Sequence, residues 1–136
     1  MYKTVCYLST PSRNLSILDY EALFYTIKNN NDRLKIYGAL IKTQDVFFQI
    51  IEGEVPIIDA LLEKIKTDSR HKNIIEMLNQ PIDKPTFSDF GVGYSIINHD
   101  ATIRAFYKYI NSLESNKTPS HSLFCNIISK LINVDV

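Results

Sequence analysis

Cysteine is scarce, glycine is scarce, and charge of one sign never gathers. The 136 residues hold two cysteines, Cys6 and Cys125, too few for a disulfide framework and not spaced as metal ligands. Both are read as reduced, buried thiols. The four glycines, Gly38, Gly53, Gly91 and Gly93, build no phosphate-cradling loop, and "GVG" at 91–93 is only half of a dinucleotide fingerprint. Basic and acidic residues balance at 15 each and are scattered, which counts against a nucleic-acid backbone or a membrane surface as partner. No apolar run approaches the length of a membrane span. "MYKTVCYLST" lacks the basic start, apolar stretch and small-residue cleavage site of a signal peptide, so a cytoplasmic protein is expected. No G-x-S-x-G elbow occurs, and His71, His99 and His121 lack ligand spacing and read as surface residues.

What is present is patterned. "YKTVCYLS" (2–9) alternates like a strand, and Ser16 with Asp19 opens a helix carrying Tyr20, Leu23, Phe24 and Ile27. The asparagine cluster at 29–31 suits its end. "LKIYGALIKT" and "VFFQIIEG" form a hairpin across Gln44-Asp45, and Pro56 starts a second helix with an apolar stripe of Ile58, Leu61, Leu62 and Ile65. "NIIEML" (73–78) and "FGVGYSII" (90–97) read as further strands. The order β-α-β-β-α-β-β predicts an α+β, ferredoxin-like sheet with two helices on one face. Beyond it, 98–136 reads as two helices broken at "SNKTPS", with Thr118 as N-cap and Pro119 in the first turn. A stripe of Leu123, Phe124, Ile127, Ile128 and Leu131 suits that pair to cover the sheet's other face or to dock another chain.

Gln49 is the anomaly in this pattern. Phe47, Gln49 and Ile51 share one face of a strand whose other face is also apolar, so the amide lies in a core. Left unpaired it would cost roughly 1–3 kcal/mol. An ordinary structural glutamine bonded to a loop carbonyl explains it alone. Tyr7 and Ser9 share one face of the first strand, and Tyr7 has an equally ordinary reading as a core tyrosine with a satisfied hydroxyl. Asn31 reads as a helix end that tolerates left-handed geometry. Together a tyrosine hydroxyl and two amides suit a flat heteroaromatic ligand with carbonyl and N–H edges, sandwiched by Leu23, Ile27, Phe47 and Ile65.

Over roughly residues 3–95 the sequence resembles the BLUF domains, sensors of blue light that use FAD. The resemblance rests on "YLS", "NNNDRLKIYGALI", "VFFQIIEG", "KIKTDSRHKNI" and "PTFSDFGVGY". The family's glycine-bearing G-I-T-G is here "KIYG". The resemblance implies that Tyr7 donates an electron and a proton to excited flavin, and that Gln49 lies between Tyr7 and the flavin N5/O4 edge. It implies that Asn31 holds the O4/N3 edge, that Arg70 faces the O2 side with His71 beside it, and that Leu23, Leu40, Phe47 and Ile65 pack on the ring. Ser9 and Ile27 complete the expected binding set. FAD is the expected cofactor, FMN and riboflavin being compatible with the same residues. Rotation or tautomerisation of Gln49 would then strengthen a bond to the flavin and shift its absorption slightly red.

Two positions depart from the family. Its last strand carries W-x-M, where this chain has Phe90, Gly91 and Val92. Phe90 has no indole N–H and Val92 no flexible thioether, so photochemistry is expected to survive while the signal relay through Phe90 and Val92 changes. The domains expected are a photosensor at 1–97 and a helical pair at 98–136. The chain resembles the short BLUF proteins, without substrate turnover, signalling by homo-oligomerisation or through a separate protein docked on 98–136. The competing readings are a light-insensitive ferredoxin-like interaction or regulatory module, an RNA-binding module, and a flavin-free descendant of the sensor. A small hydrolase using Arg70 or Arg33 for phosphate and Asn31 to orient water is a fourth.

Overall fold

The computed structural model describes residues 1–91, 93–113 and 121–132. Val92, Thr118 and Pro119 lie outside the described residues. The elements run β1 (Tyr2–Pro11), α1 (Ile17–Arg33), β2 (Tyr37–Lys42), β3 (Phe47–Glu54), α2 (Val55–Lys66), β4 (His71–Ile82), β5 (Ser95–Ile97), α3 (Asp100–Ser112) and α4 (His121–Ile132). The five strands form one sheet in the order β4-β1-β3-β2-β5, the ferredoxin-like α+β plan with an added edge strand.

β3 is central, which explains its apolar residues on both faces. It pairs antiparallel with β1, Tyr7 opposite Gln49, and with β2, Leu40 opposite Gln49. Tyr7, Gln49 and Leu40 therefore form one row across three strands. Phe48 and Ile50, pointing the other way, are fully buried. On the Gln49 side, Val5, Leu40, Phe47 and Ile51 pack with Ile58 and Leu62 of α2, joined by Tyr20, Phe24 and Ile27 of α1.

Local chemistry sets the ends of α1. Ser16 and Asp19 exchange the two hydrogen bonds of a capping box. At the other end Ile36 N–H donates to Asn31 O (2.8 Å) and Lys35 N–H to Asp32 O (3.2 Å), a Schellman closure. The left-handed residue is Lys35 (φ 56°), not Asn31, so the expectation that Asn31 supplies that geometry is corrected. Asn31 is an interior residue of the last helical turn. Pro56 occupies the first turn of α2, as its missing N–H allows.

Two strands differ from expectation. β4 is twice the length of "NIIEML", because β1 offers it partners from Tyr2 to Pro11 across two register shifts. β5 is only Ser95–Ile97, because Gly91 (φ 66°) and Gly93 (φ 75°) turn the chain just before it.

The chain divides into two compact units, Met1–Ile96 and Ile97–Val136. In the second, α3 and α4 pack on one another, with Ile103, Phe106, Ile110, Phe124, Ile127 and Ile128 buried. No helix among the described residues is long and apolar enough to cross a membrane.

Candidate functional site

Between α1, α2 and the sheet lies a cleft of about 190 Å³. The sheet supplies Tyr7, Leu40, Phe47 and Gln49 to its floor. Leu23, Ile27 and Asn31, spaced four apart, put one stripe of α1 along its wall. Leu61, Lys64 and Ile65 of α2, with Asp68, Arg70 and His71 beyond it, form the opposite side.

Burial and hydrogen bonding give these side chains distinct states. Tyr7 is 3% exposed and its hydroxyl donates to Gln49 Oε1. Burial, reinforced by the charge of Asp68, pushes the Tyr7 phenol well above its ordinary range, so it keeps its proton as a donor. Gln49 Nε2 donates to the Tyr94 hydroxyl at 2.7 Å, and Tyr94 donates in turn to Ile50 O at 3.1 Å. The Gln49 amide still has a second N–H and a second lone pair to offer. Arg70 forks onto Asp68, Nε to Oδ1 at 2.9 Å and Nη2 to Oδ2 at 2.6 Å. Those bonds hold the Asp68 carboxyl below the usual carboxylate range.

His71 is half-buried rather than a surface residue. Its Nε2 lies 2.7 Å from the carbonyl of Ile65, which can only accept, so Nε2 donates. A neutral ring then accepts from Ser9 Oγ at 2.8 Å through Nδ1. Both ring nitrogens are thus occupied within the protein, and the His71 ring packs at an angle against Tyr7 and Phe47 in the cleft lining. Ser9, expected in contact with the flavin, is not among the lining residues; its hydroxyl orients His71.

Of the expected site residues the cleft gathers Tyr7, Leu23, Ile27, Asn31, Leu40, Phe47, Gln49, Ile65, Arg70 and His71. Phe90 is half-buried and does not line it. Gln49 lines the cleft with its amide bonded to Tyr7 at one end and to Tyr94 at the other. Reading 90–97 as one continuous strand hid Tyr94. The two glycines flanking Val92 were the signal of a turn that aims an aromatic side chain differently.

Asn31 is 2% exposed, and its Nδ2 has no hydrogen-bond partner among the described residues. A buried amide donor without a partner is costly unless a ligand acceptor meets it. Apolar walls, an unpaired amide at one end and a guanidinium at the other fit a flat ring system edged with carbonyls.

The comparisons agree with that chemistry. The family model for BLUF, sensors of blue-light using FAD, matches residues 2–93. The chain is 31% identical over 84 residues to photoactivated adenylate cyclase subunit beta of Euglena longa, covering 62% of this chain and 10% of that protein. Subunit alpha of the Euglena gracilis cyclase is 29% identical over 84 residues, again 62% of this chain but 8% of that protein. This chain therefore spans about a tenth of the length of these curated relatives. Among solved structures, BlsA in its photo-activated state superposes with a TM-score of 0.70 at 25% identity, covering 99% of this chain and 97% of that one. BlrB, a BLUF protein in its dark state, gives 0.70 at 24% identity over 95% and 96% of the two chains. Klebsiella pneumoniae BlrP1, in a calcium and cyclic-diGMP complex, gives 0.77 at 23% identity over 98% of this chain and 34% of that one. The BlrB and BlrP1 likenesses show a common fold.

Proposed function

The chain belongs to the BLUF family, the sensors of blue light using FAD, and from that premise we propose that Tyr7 and Gln49 form its light-driven switch. As a member it is a blue-light sensor with FAD as its cofactor. Bound in the cleft, FAD supplies the absorption of blue light and a transient acceptor for one electron and one proton. The remaining work falls to the chain. Asn31 would offer its Nδ2–H to a ring carbonyl, and Leu23, Ile27, Leu40, Phe47 and Ile65, which line the cleft, would pack against the ring. Arg70, already braced by Asp68, keeps further N–H groups for the far rim.

Tyr7, neutral at rest, gives up an electron and its phenol proton and then recovers both, so no bond is changed in the balance. Gln49 takes part in the proton's path through Oε1 and is left with its ends exchanged or its tautomer altered. An amide is suited to this because rotation swaps a donor for an acceptor at the same place. The altered amide would offer a stronger hydrogen bond to a ring carbonyl of bound flavin, which would shift its absorption slightly red until the amide returns in darkness. The single observation that carries this reading is the buried Tyr7–Gln49 hydrogen bond in the same cleft as the unpartnered amide of Asn31.

Nothing in this cycle turns over a substrate. The signal leaves as a change in association through residues 98–136, with a second copy or a separate protein. Absorption and sedimentation of the FAD-loaded chain, before and after blue light, test both steps. A reversible red shift with a change in sedimentation is expected. An invariant spectrum would leave a light-insensitive module on a sensor's fold, and an invariant sedimentation would remove self-association from the account.

A further inference from the structure

We propose that Tyr94 is the positioning residue that sets the resting orientation of the Gln49 amide, and that its hydroxyl carries the reorientation of that amide to β5. The inference rests on the reading of Gln49 as the switch. Its observations are the hydrogen bonds of Tyr94 at three points.

The phenol of Tyr94 has one proton to give and lone pairs to receive. That proton goes to a backbone carbonyl of β3, Ile50 O at 3.1 Å. A carbonyl cannot donate, so the direction of this bond is fixed. Tyr94 can then only accept from Gln49, as it does from Nε2 at 2.7 Å. The opposite end of the amide, Oε1, is left to accept from Tyr7. One donor chain results: Tyr7 to Gln49, Gln49 to Tyr94, Tyr94 to Ile50. Two tyrosines flank the glutamine, and they are not equivalent. Tyr7 is free to donate to it, whereas the proton of Tyr94 is already committed.

Turning the amide end for end would present its oxygen to Tyr94. The Tyr94 hydroxyl would then rotate its proton from Ile50 O toward Gln49, and the β3 carbonyl would lose that partner. No proton leaves Tyr94; only the O–H torsion changes. The backbone of Tyr94 is anchored on both sides, its N–H to Asp32 Oδ1 at 2.6 Å and its carbonyl to Lys28 Nζ at 3.0 Å. Lys28 and Asp32 also pair with each other at 3.0 Å on α1. Asp32 is the residue after Asn31, and Ser95, the residue after Tyr94, begins β5. A change at the hydroxyl is therefore delivered between a clamped helix end and the first residue of the edge strand. Phe90 and Val92 have no hydroxyl or amide side chain with which to do this.

The test uses the full chain loaded with FAD, comparing wild type with Tyr94→Phe. Nitrogen-15 spectra in darkness read the Gln49 side-chain amide, assigned by its loss in Gln49→Leu. Backbone amide exchange at 95–97, in darkness and under blue light, reads the relay. Tyr94→Phe is expected to keep the flavin, to move the Gln49 amide resonances in darkness, and to lose the light-induced change in exchange. Unmoved Gln49 resonances overturn the positioning role, and an unaltered light-induced exchange at 95–97 overturns the relay. Should Tyr94→Phe not fold, Asp32→Ala releases the Tyr94 backbone and leaves its phenol in place. It is expected to keep the dark Gln49 signal and diminish the light response at 95–97, and an undiminished response again overturns the relay. A wild type without any red shift defeats the reading of the switch instead, while the dark Gln49 resonances still decide whether Tyr94 holds the amide.

Discussion

Gln49 is buried because β3 is central, and it remains tolerable there because tyrosines meet both ends of its amide. The burial was legible in "VFFQIIEG" from alternation alone. The pairing with Tyr7 follows from register, since the two residues are direct cross-strand neighbours. The pairing with Tyr94 was not legible, because side-chain direction in a glycine turn does not follow strand alternation. Asn31 shows the reverse case. Its type suggested a helix end, but its spacing from Leu23 and Ile27 places it on the stripe that faces the cleft. Its unpartnered donor gives a prediction of two signs. Asn31→Ala should lower FAD affinity about tenfold, ~1.4 kcal/mol. The same change should leave the flavin-free protein within about 1 kcal/mol of wild-type stability, since the lost donor had no partner to forfeit. Titration of FAD by fluorescence quenching and urea unfolding without FAD measure the two quantities. Undiminished affinity would remove Asn31 from the flavin site.

At the scale of elements, the order of strands and helices followed from periodicity, capping and proline placement. The ends that were misjudged are those fixed by partners far away in sequence. β4 runs on because β1 is there to pair with it, and β5 is short because Gly91 and Gly93 turn the chain ahead of it. The link from α1 to β2 carries a local cost. Lys35 stands in left-handed geometry (φ 56°) where the family pattern has glycine, although its N–H and that of Ile36 complete the helix closure. Lys35→Gly should therefore stabilise the fold by about 0.5–1 kcal/mol, the left-handed penalty less the added freedom of the unfolded chain. A urea midpoint below that of wild type would show that the lysine is better placed than its backbone suggests. Gly38, by contrast, admits no side chain, because a Cβ there would lie 2.2 Å from Ile50 O.

The stability of the whole sensor unit depends on a carboxyl away from the cleft. Glu52 is 1% exposed and accepts from the backbone N–H groups of Thr86 (2.6 Å) and Phe87 (3.2 Å), fastening the segment before β5 to β3. Burial pushes its pKa up from 4.5 to about 7, against the pull of those N–H groups. Between these values the folded chain holds a proton that the unfolded chain has released. The contribution of Glu52 to stability is thus full below about pH 4.5 and is lost as pH rises through 7, by up to about 3 kcal/mol. Glu52→Gln keeps an acceptor without the titration, so the wild type should lose more stability than the variant between pH 5 and pH 8. Equal losses in urea unfolding would relieve Glu52 of this role.

The account as a whole turns on the cleft being a switch and not merely a binding site. The most direct measurement is the absorption spectrum of the FAD-loaded chain before and after blue light, beside that of Tyr7→Phe. The account predicts a small red shift that relaxes in darkness in the wild type, and bound flavin without the shift in Tyr7→Phe. Flavin bound by both proteins with the same shift, or with none in either, would contradict it.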